Sequence, residues 1–281
     1  MAAGAELGEG PIWDVRSGRI AWVDILGRRI HLTDSVTGAT ESIETPLQVG
    51  AIAPRPKGGF VAALQDGFWV IGDGPARRIA TVPEARPGLR FNDGKCDPAG
   101  RFWAGTMAYD QAAGAAALYR LDAEGRPTRV IDGVTISNGI DWSIDGTAMY
   151  YVDSPLHRID VFDFEPATGE IANRRVAIQI PREAGTPDGL TIDADGGIWV
   201  ALWGGSVVHR YLDGRLDQVI KLPVSKPTSC AFGGAELDEL YVTSASEGLS
   251  DMDRRTQPLA GALFRIRTGI RGLPAHSYIG V

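Results

Sequence analysis

A β-rich segment recurs six times along the 281-residue chain, each copy centred on an aromatic or branched residue. Successive centres lie 39 to 48 residues apart, with a mean spacing of 43.8 residues, and a second β-rich run follows every copy. The centres are Trp22, Val61, Trp103, Tyr151, Trp199 and Tyr241. Repeats of about 40–45 residues with four short strands are typical of β-propeller blades. The sequence therefore predicts an all-β fold, a six-bladed β-propeller, as a single domain over residues 1–281.

Turn-forming residues support this prediction. Pairs such as Asp145-Gly146 stand just before the aromatic segments, where hairpin turns are expected. Helical periodicity is nearly absent, and Gly114 interrupts the one Ala-rich stretch, residues 111–117, for which we expect a loop. Two β-sandwiches are the alternative, but they would not require the same strand pair at a fixed period through the midpoint of the chain.

Composition excludes several classes of partner. The chain carries 28 basic and 35 acidic side chains, a formal charge of −7, and has no Lys/Arg-rich run, so we expect no binding to nucleic acid or anionic membranes. No apolar stretch approaches the roughly 18 residues that a membrane span needs, and Met1-Ala2-Ala3-Gly4 lacks the features of a signal peptide. We expect a soluble, cytoplasmic protein. A closed propeller hides most strand edges, which favours a monomer.

Four polar residues share one phase of the repeat. Glu9, Asn92, Asn138 and Asp188 each lie 11 or 13 residues before an aromatic centre, and each is followed by glycine within two positions. In a propeller, residues at equivalent phases converge on the central channel. Two carboxylates and two amides would converge there, an all-oxygen set that suits a hard divalent cation such as Ca²⁺. Alternatively, these residues only form turns, since Asn and Asp before Gly are common at such positions.

The motifs resemble those of the regucalcin and gluconolactonase family, also called senescence marker protein, whose members are six-bladed propellers. The resemblance covers essentially the whole chain. It is carried by Arg90-Phe91-Asn92-Asp93-Gly94-Lys95, Ala104-Gly105-Thr106-Met107, Gly8-Glu9-Gly10-Pro11, Ser137-Asn138-Gly139, Pro187-Asp188-Gly189-Leu190 and Lys226-Pro227.

This resemblance implies a site at one end of the channel. In the family, one divalent metal is held by residues that correspond to Glu9, Asn138 and Asp188. Arg90 and Asn92 correspond to substrate contacts. A family Glu after the Gly-Thr-Met motif also contacts substrate, and we assign that position to Asp110, whose side chain is one methylene shorter. We expect Ca²⁺, with Zn²⁺, Mn²⁺, Mg²⁺ and Fe²⁺ as alternatives that an oxygen ligand set also accepts.

The implied reaction is the hydrolysis of a sugar lactone to an aldonic acid. Asp188 corresponds to the family's general base, although a carboxylate bound to a cation is a weak base. The sequence therefore leaves open whether Asp188 or the metal activates the attacking water, with Asp93 as a less favoured substitute base. Two other functions remain open: a calcium-dependent hydrolase of aryl esters or phosphotriesters, and a non-catalytic calcium-binding propeller.

Overall fold

Six antiparallel sheets surround one axis in the computed structural model, which describes residues 4–82 and 87–280. Each of the first five sheets is a four-stranded meander, and the sixth has three strands. The prediction of an all-β, six-bladed propeller is therefore confirmed. Met1–Ala3, which contributed to the expectation of no signal peptide, lie outside the described residues.

Strand bounds follow the predicted period. The first three blades consist of β1 (Gly8–Asp14), β2 (Arg19–Asp24), β3 (Arg29–Asp34), β4 (Thr40–Glu44), β5 (Val49–Pro54), β6 (Phe60–Leu64), β7 (Gly67–Ile71), β8 (Arg77–Ala80), β9 (Leu89–Cys96), β10 (Phe102–Ala108), β11 (Ala116–Leu121) and β12 (Pro127–Val134). The last three consist of β13 (Ser137–Trp142), β14 (Ala148–Asp153), β15 (Arg158–Glu165), β16 (Glu170–Gln179), β17 (Thr186–Ile192), β18 (Ile198–Trp203), β19 (Val207–Leu212), β20 (Arg215–Lys221), β21 (Pro227–Gly233), β22 (Glu239–Ser244) and β23 (Phe264–Arg267).

The first strand of each blade lies innermost. Neighbouring first strands contact one another around the axis, whereas the fourth strands of the first five blades are largely exposed. The aromatic centres all lie on the second strands, and their side chains are buried between blades. This layering explains the repeat, because every blade needs a bulky apolar residue at the same depth to fill the space against its neighbour.

Two hairpins at the lower end of the channel are built around a buried aspartate. In the third blade, Asp97 accepts hydrogen bonds from the backbone of Ala99, from both the backbone N–H and Nε of Arg101, and from Nε1 of Trp103. In the fifth blade, Asp193 accepts the equivalent bond from Trp199 Nε1. These carboxylates join the turn that precedes the second strand to the aromatic residue within it.

The chain termini close the ring. Leu7 forms an antiparallel bridge with Ala245 of the sixth blade, and the backbone N–H of Ala5 donates to Gly261 O at 3.0 Å. The C-terminal segment crosses the lower face, where Tyr278 is buried and its hydroxyl donates to Asp122 O at 2.7 Å. The first, third and sixth blades are thus held together by contacts distant in sequence.

Helical structure is sparse, as predicted. Two 3₁₀ helices span Ser154–Leu156 and Arg182–Ala184, and residues 111–115 form turns and loop, in agreement with the expectation for that stretch. The sequence did not predict α1 (Asp251–Thr256), which begins with a capping box between Ser250 and Asp253. Within residues 4–82 and 87–280, no helix has the length and apolar character needed to cross a bilayer.

Candidate metal and substrate site

The upper end of the channel, where the first strands begin, opens into a cavity of about 310 Å³. Five of the six sequence-predicted site residues line it together. The lining residues are Leu7, Glu9, Leu26, Arg90, Asn92, Met107, Tyr109, Gln111, Ile136, Asn138, Ser154, Thr186, Pro187, Asp188, Trp203 and Glu247. Glu9 lies on β1, Asn92 on β9, Asn138 on β13 and Asp188 on β17, so the shared phase in the sequence becomes shared depth in the fold.

Two carboxylates are buried in this cavity without a matching cation. Glu9 is 3% exposed and Asp188 is 6% exposed. Burial raises the pKa of Glu9 well above its usual range, and the charges of Asp188 and Asp93 raise it further. Burial and the charge of Asp93 likewise raise the pKa of Asp188, although Arg90 opposes this shift. Among the described residues, Oδ1 of Asp188 has no hydrogen-bond partner.

Ser154 fixes the orientation of the Asn138 amide. Its hydroxyl donates to Pro187 O at 2.7 Å, so the same oxygen is left to accept from Asn138 Nδ2 at 2.8 Å. Asn138 Oδ1 must then face the other way, where it accepts from Asn92 Nδ2 at 3.1 Å. A carbonyl oxygen has two lone pairs, so one remains for a ligand.

Arg90 and Asn92 form one hydrogen-bonded unit on β9. Nη1 of Arg90 donates to Asn92 Oδ1 at 2.6 Å and to Phe91 O at 3.0 Å. Asn92 Nδ2 also donates to Ser137 O at 2.7 Å, so its two amide hydrogens are both used within the protein. Nε of Arg90 is buried and has no partner among the described residues. The guanidinium therefore has donor capacity left for a ligand, whereas the Asn92 amide nitrogen does not.

Below these groups, the channel narrows around Asp93. Burial raises the pKa of this carboxyl from its ordinary value to about 6, against the opposing effects of Lys95 and of the Gly94 backbone N–H. Lys95 Nζ itself is engaged, because it donates to Asp141 Oδ2 at 2.8 Å and to Leu190 O at 3.1 Å. The lower part of the channel is therefore occupied by a satisfied ion pair, whereas the upper part holds the unpaired carboxylates.

Asp110 does not join the cavity. It is exposed, and its Oδ1 accepts from the backbone N–H of Ala112 at 3.1 Å within a turn. The two residues beside it, Tyr109 and Gln111, line the cavity instead. The geometry thus gives no support to a substrate contact by Asp110.

Sequence reasoning missed four residues of the cavity mouth: Tyr109, Gln111, Trp203 and Glu247. For Trp203 a signal was available. It is the last residue of β18 and pairs with Thr186, two positions before Asp188, so the sequence spacing from the aromatic centre places it at the depth of the site. The other three come from the ends of strands or from loops, where periodicity carries no information.

The donor set fits a hard cation. The described residues contain no group of three or more His, Cys, Asp or Glu side chains in metal-binding arrangement, because the third ligand here would be the amide of Asn138. Glu9, Asn138 and Asp188 supply only oxygen atoms, and the free Oδ1 of Asp188 is an orphaned buried acceptor. A divalent cation would satisfy this acceptor and offset the repulsion between the two carboxylates.

Six blades around an acidic, oxygen-lined cavity describe a β-propeller with a candidate metal centre at the channel mouth. Residues 7–246 match the sequence model of the SMP-30/Gluconolactonase/LRE-like region. The chain belongs to this family, and the resemblance seen in its motifs is confirmed.

Individual relatives match over nearly the full length. Regucalcin of Danio rerio is 40% identical over 282 residues, which cover 98% of this chain and 95% of the relative. A provisionally named sugar lactone lactonase of Bacillus subtilis (strain 168) is 38% identical over 271 residues, which cover 94% and 93%. The crystal structure of a calcium-binding regucalcin from Agrobacterium tumefaciens superposes with a TM-score of 0.92 at 32% identity, covering 98% and 94%.

Proposed function

We propose that this protein is a metal-dependent lactonase that hydrolyses a sugar lactone to the corresponding aldonic acid. One observation carries the proposal: Glu9 and Asp188 are buried together beside the Asn138 amide, and Asp188 Oδ1 lacks a partner among the described residues. A fold gains nothing from desolvating two like charges, so their burial points to a ligand that completes the site. The names of the Bacillus subtilis relative and of the family support a lactone as substrate.

Glu9, Asn138 and Asp188 would hold one divalent cation through their oxygen atoms, and Ca²⁺ is the first candidate. The Agrobacterium tumefaciens relative, which is described as calcium-binding, supports this choice. When bound, the cation supplies a Lewis acid that polarises the lactone carbonyl and stabilises developing negative charge, an effect worth several kcal/mol.

Arg90 would orient the substrate. Its Nη1 is fixed by Asn92 Oδ1 and Phe91 O, which leaves Nε free to donate to a sugar oxygen without a change of rotamer. Pre-positioned donors of this kind reduce the entropy lost when reacting groups are brought together. Asn92 would act on Arg90 and Asn138 by hydrogen bonding, since its own amide hydrogens are already used.

Asp188 would transfer the proton. Its Oδ1 takes a proton from water as the water oxygen attacks the carbonyl carbon, and then returns that proton to the ring oxygen as the carbon–oxygen bond breaks. Water is thereby added across the ester bond, and the product is a hydroxy acid that ionises near neutral pH. The net release of one proton for each turnover makes the reaction measurable with a pH indicator.

Apolar side chains also line the cavity, among them Leu7, Leu26, Met107 and Ile136. This mixed lining is the specific observation that favours the second candidate, hydrolysis of an aryl ester or phosphotriester. Such substrates would place their apolar group against these walls and would need fewer hydrogen bonds from Arg90.

The test measures ring opening of xylono-, arabinono- and gluconolactone, together with phenyl acetate, on chelator-stripped protein. Ca²⁺, Zn²⁺, Mn²⁺, Mg²⁺ or Fe²⁺ is then added back, and each rate is compared with the spontaneous rate under the same conditions. We expect acceleration of a sugar lactone that returns with at least one metal. Acceleration of the aryl ester alone would support the second candidate, and no acceleration by folded, metal-bound protein would leave only a binding role.

A further inference from the structure

Lys226 touches two residues of the cavity mouth but does not line the cavity itself. Its Nζ lies 4.7 Å from the centroid of the Trp203 ring and donates to Glu247 O at 2.6 Å. Trp203 and Glu247 both line the cavity. The ammonium group therefore lies behind the Trp203 ring with respect to the cavity, and the ring is held between the ammonium group and the cavity space.

The position of Trp203 relative to Asp188 follows from strand register. Trp203 ends β18 and pairs with Thr186 at the start of β17, two residues before Asp188. An aromatic ring thus lies at the rim of the cavity on the same blade as the candidate base. Because it is only partly buried, part of its surface remains available to a ligand.

We propose that Trp203 is a specificity-determining platform against which the ring of the lactone packs, and that Lys226 is the positioning residue that holds it. The face of an aromatic ring carries negative electrostatic potential. The C–H bonds of a sugar ring are polarised by their oxygen substituents, so the hydrogens on one ring face are complementary to that potential. This assignment rests on the proposed function, because it takes a sugar lactone as the ligand.

The chain offers a matched control. Trp69 is also partly buried and also has a cation near its ring, with Arg78 Cζ 5.9 Å from the ring centroid. Trp69 donates from Nε1 to Asp66 Oδ1 at 2.7 Å and does not line the cavity. Substitutions in this second tryptophan–cation pair reproduce the loss of an aromatic group and of a stacked charge without touching the site.

The experiment compares kcat and KM for gluconolactone, with the metal that supports turnover, in the variants Trp203→Leu, Trp203→Tyr, Lys226→Met, Trp69→Leu and Arg78→Met. We expect Trp203→Leu to raise KM about tenfold with kcat within threefold, because packing that is equal in ground and transition states affects binding alone. Trp203→Tyr retains an aromatic face and should stay near the wild-type KM. Both control variants should leave KM unchanged.

Lys226→Met should raise KM about threefold, and it should add nothing when Trp203 is already Leu, because the lysine acts through the ring. Melting temperatures identify any variant that is unfolded at the assay temperature. If Trp203→Leu is unfolded, the Lys226→Met result alone decides, since loss of an interaction at the rim leaves the core intact. An unchanged KM in Lys226→Met, or full additivity of the two substitutions, would overturn the positioning role.

A binding measurement separates this inference from the proposed function. Ca²⁺-loaded protein is titrated with gluconate, which cannot undergo ring opening, while tryptophan fluorescence is recorded. A signal that is lost in Trp203→Leu and kept in Trp69→Leu supports the platform even if no lactone is hydrolysed. Turnover with an unchanged KM in Trp203→Leu would instead preserve the lactonase and eliminate the platform.

Discussion

Two buried aspartates of the fifth blade, only five residues apart, have opposite environments. Asp193, at the lower end of the blade, is fully buried, and its Oδ1 accepts backbone hydrogen bonds from Asp195 and Gly197 at 2.9 and 2.8 Å. Its Oδ2 accepts from Trp199 Nε1 and Arg210 Nε, both at 2.7 Å. Asp188, at the upper end, has an Oδ1 without any partner among the described residues.

This difference distinguishes a carboxylate that supports the fold from one that is available to a ligand. Burial of a charge costs several kcal/mol unless hydrogen bonds and an opposite charge compensate for it. At Asp193 the guanidinium of Arg210 and three neutral donors provide that compensation. At Asp188 the nearest compensation is the more distant Arg90, and burial therefore raises the pKa of the carboxyl. The saturation of a buried carboxylate thus indicates its role better than its burial does.

The largest expected effect comes from Asp188→Asn. The substitution keeps the shape of the side chain but removes the charge and the proton acceptor, so we expect lactone opening to fall at least about 10³-fold, equivalent to about 4 kcal/mol. In metal-free protein the same change should raise the melting temperature, because a desolvated charge disappears. Calorimetric titration with Ca²⁺ should show weakened binding. Wild-type turnover in this variant would remove Asp188 from the mechanism.

The converse is expected for Asp193→Ala. Loss of this carboxylate leaves the Arg210 guanidinium and the Trp199 indole N–H without their buried acceptor, which should lower the free energy of unfolding by about 4 kcal/mol. Asp195→Ala is the matched control. Asp195 is bonded to the same Arg210 at 3.3 Å but its side chain is 66% exposed, so its loss should cost less than about 1 kcal/mol. Equal losses in urea denaturation would contradict the distinction between the two aspartates.

The upper carboxylates should also make the stability of metal-free protein depend on pH. The pKa of Asp93 rises on folding from its ordinary value of 3.8 to about 6, and those of Glu9 and Asp188 rise as well. The folded state therefore binds more protons than the unfolded state between these values, so stability falls as pH rises through this window. For Asp93 alone the fall is about 3 kcal/mol at most.

Thermal unfolding between pH 4 and pH 7.5, with chelator or with saturating Ca²⁺, measures this dependence. The decline should be steep with chelator and smaller with Ca²⁺, because a cation favours the ionised carboxylates. Asp93→Asn should flatten the chelator profile. Metal-free profiles that are already flat would show that the upper carboxylates carry no uncompensated charge.

Much of the fold was predictable because its physical cause repeats. Trp103 and Trp199 fill equivalent spaces between blades, so their spacing gives the blade period directly. The polar residues of the upper channel were predictable for the same reason, since Asn138 and Asp188 hold equivalent places on first strands. By contrast, α1 (Asp251–Thr256) stands once in a loop of the sixth blade, and its only local signal is the capping box at Ser250.

Contacts between loops were beyond a sequence argument. The mouth residues Trp203 and Glu247 are brought together by Lys226, from three segments whose relative placement depends on the closed ring. In the same way, the orientation of the Asn138 amide depends on a hydroxyl from Ser154 and a carbonyl from Pro187. Such three-body arrangements have no periodic signature in the chain.

The smallest expected effect concerns Asp110, which the sequence places in the substrate site and the structure places in an exposed turn. Asp110→Ala removes one hydrogen bond to the backbone of Ala112 at the surface, so stability should fall by less than about 1 kcal/mol. The KM for the best lactone should remain within twofold of wild type. Tyr109→Ala provides the contrast, because Tyr109 lines the cavity and its hydroxyl is hydrogen-bonded to Gln48.

A larger KM change in Asp110→Ala than in Tyr109→Ala would mean that the loop carries its carboxylate into the site when substrate binds. The opposite order is expected here, because the alternation of the chain after β10 turns one neighbour inward and the other outward. A shift of a single position in the assignment of a motif therefore exchanges a side chain that lines the cavity for one that only caps a turn. Steady-state kinetics on these two variants decides between the two neighbours without any change to the metal ligands.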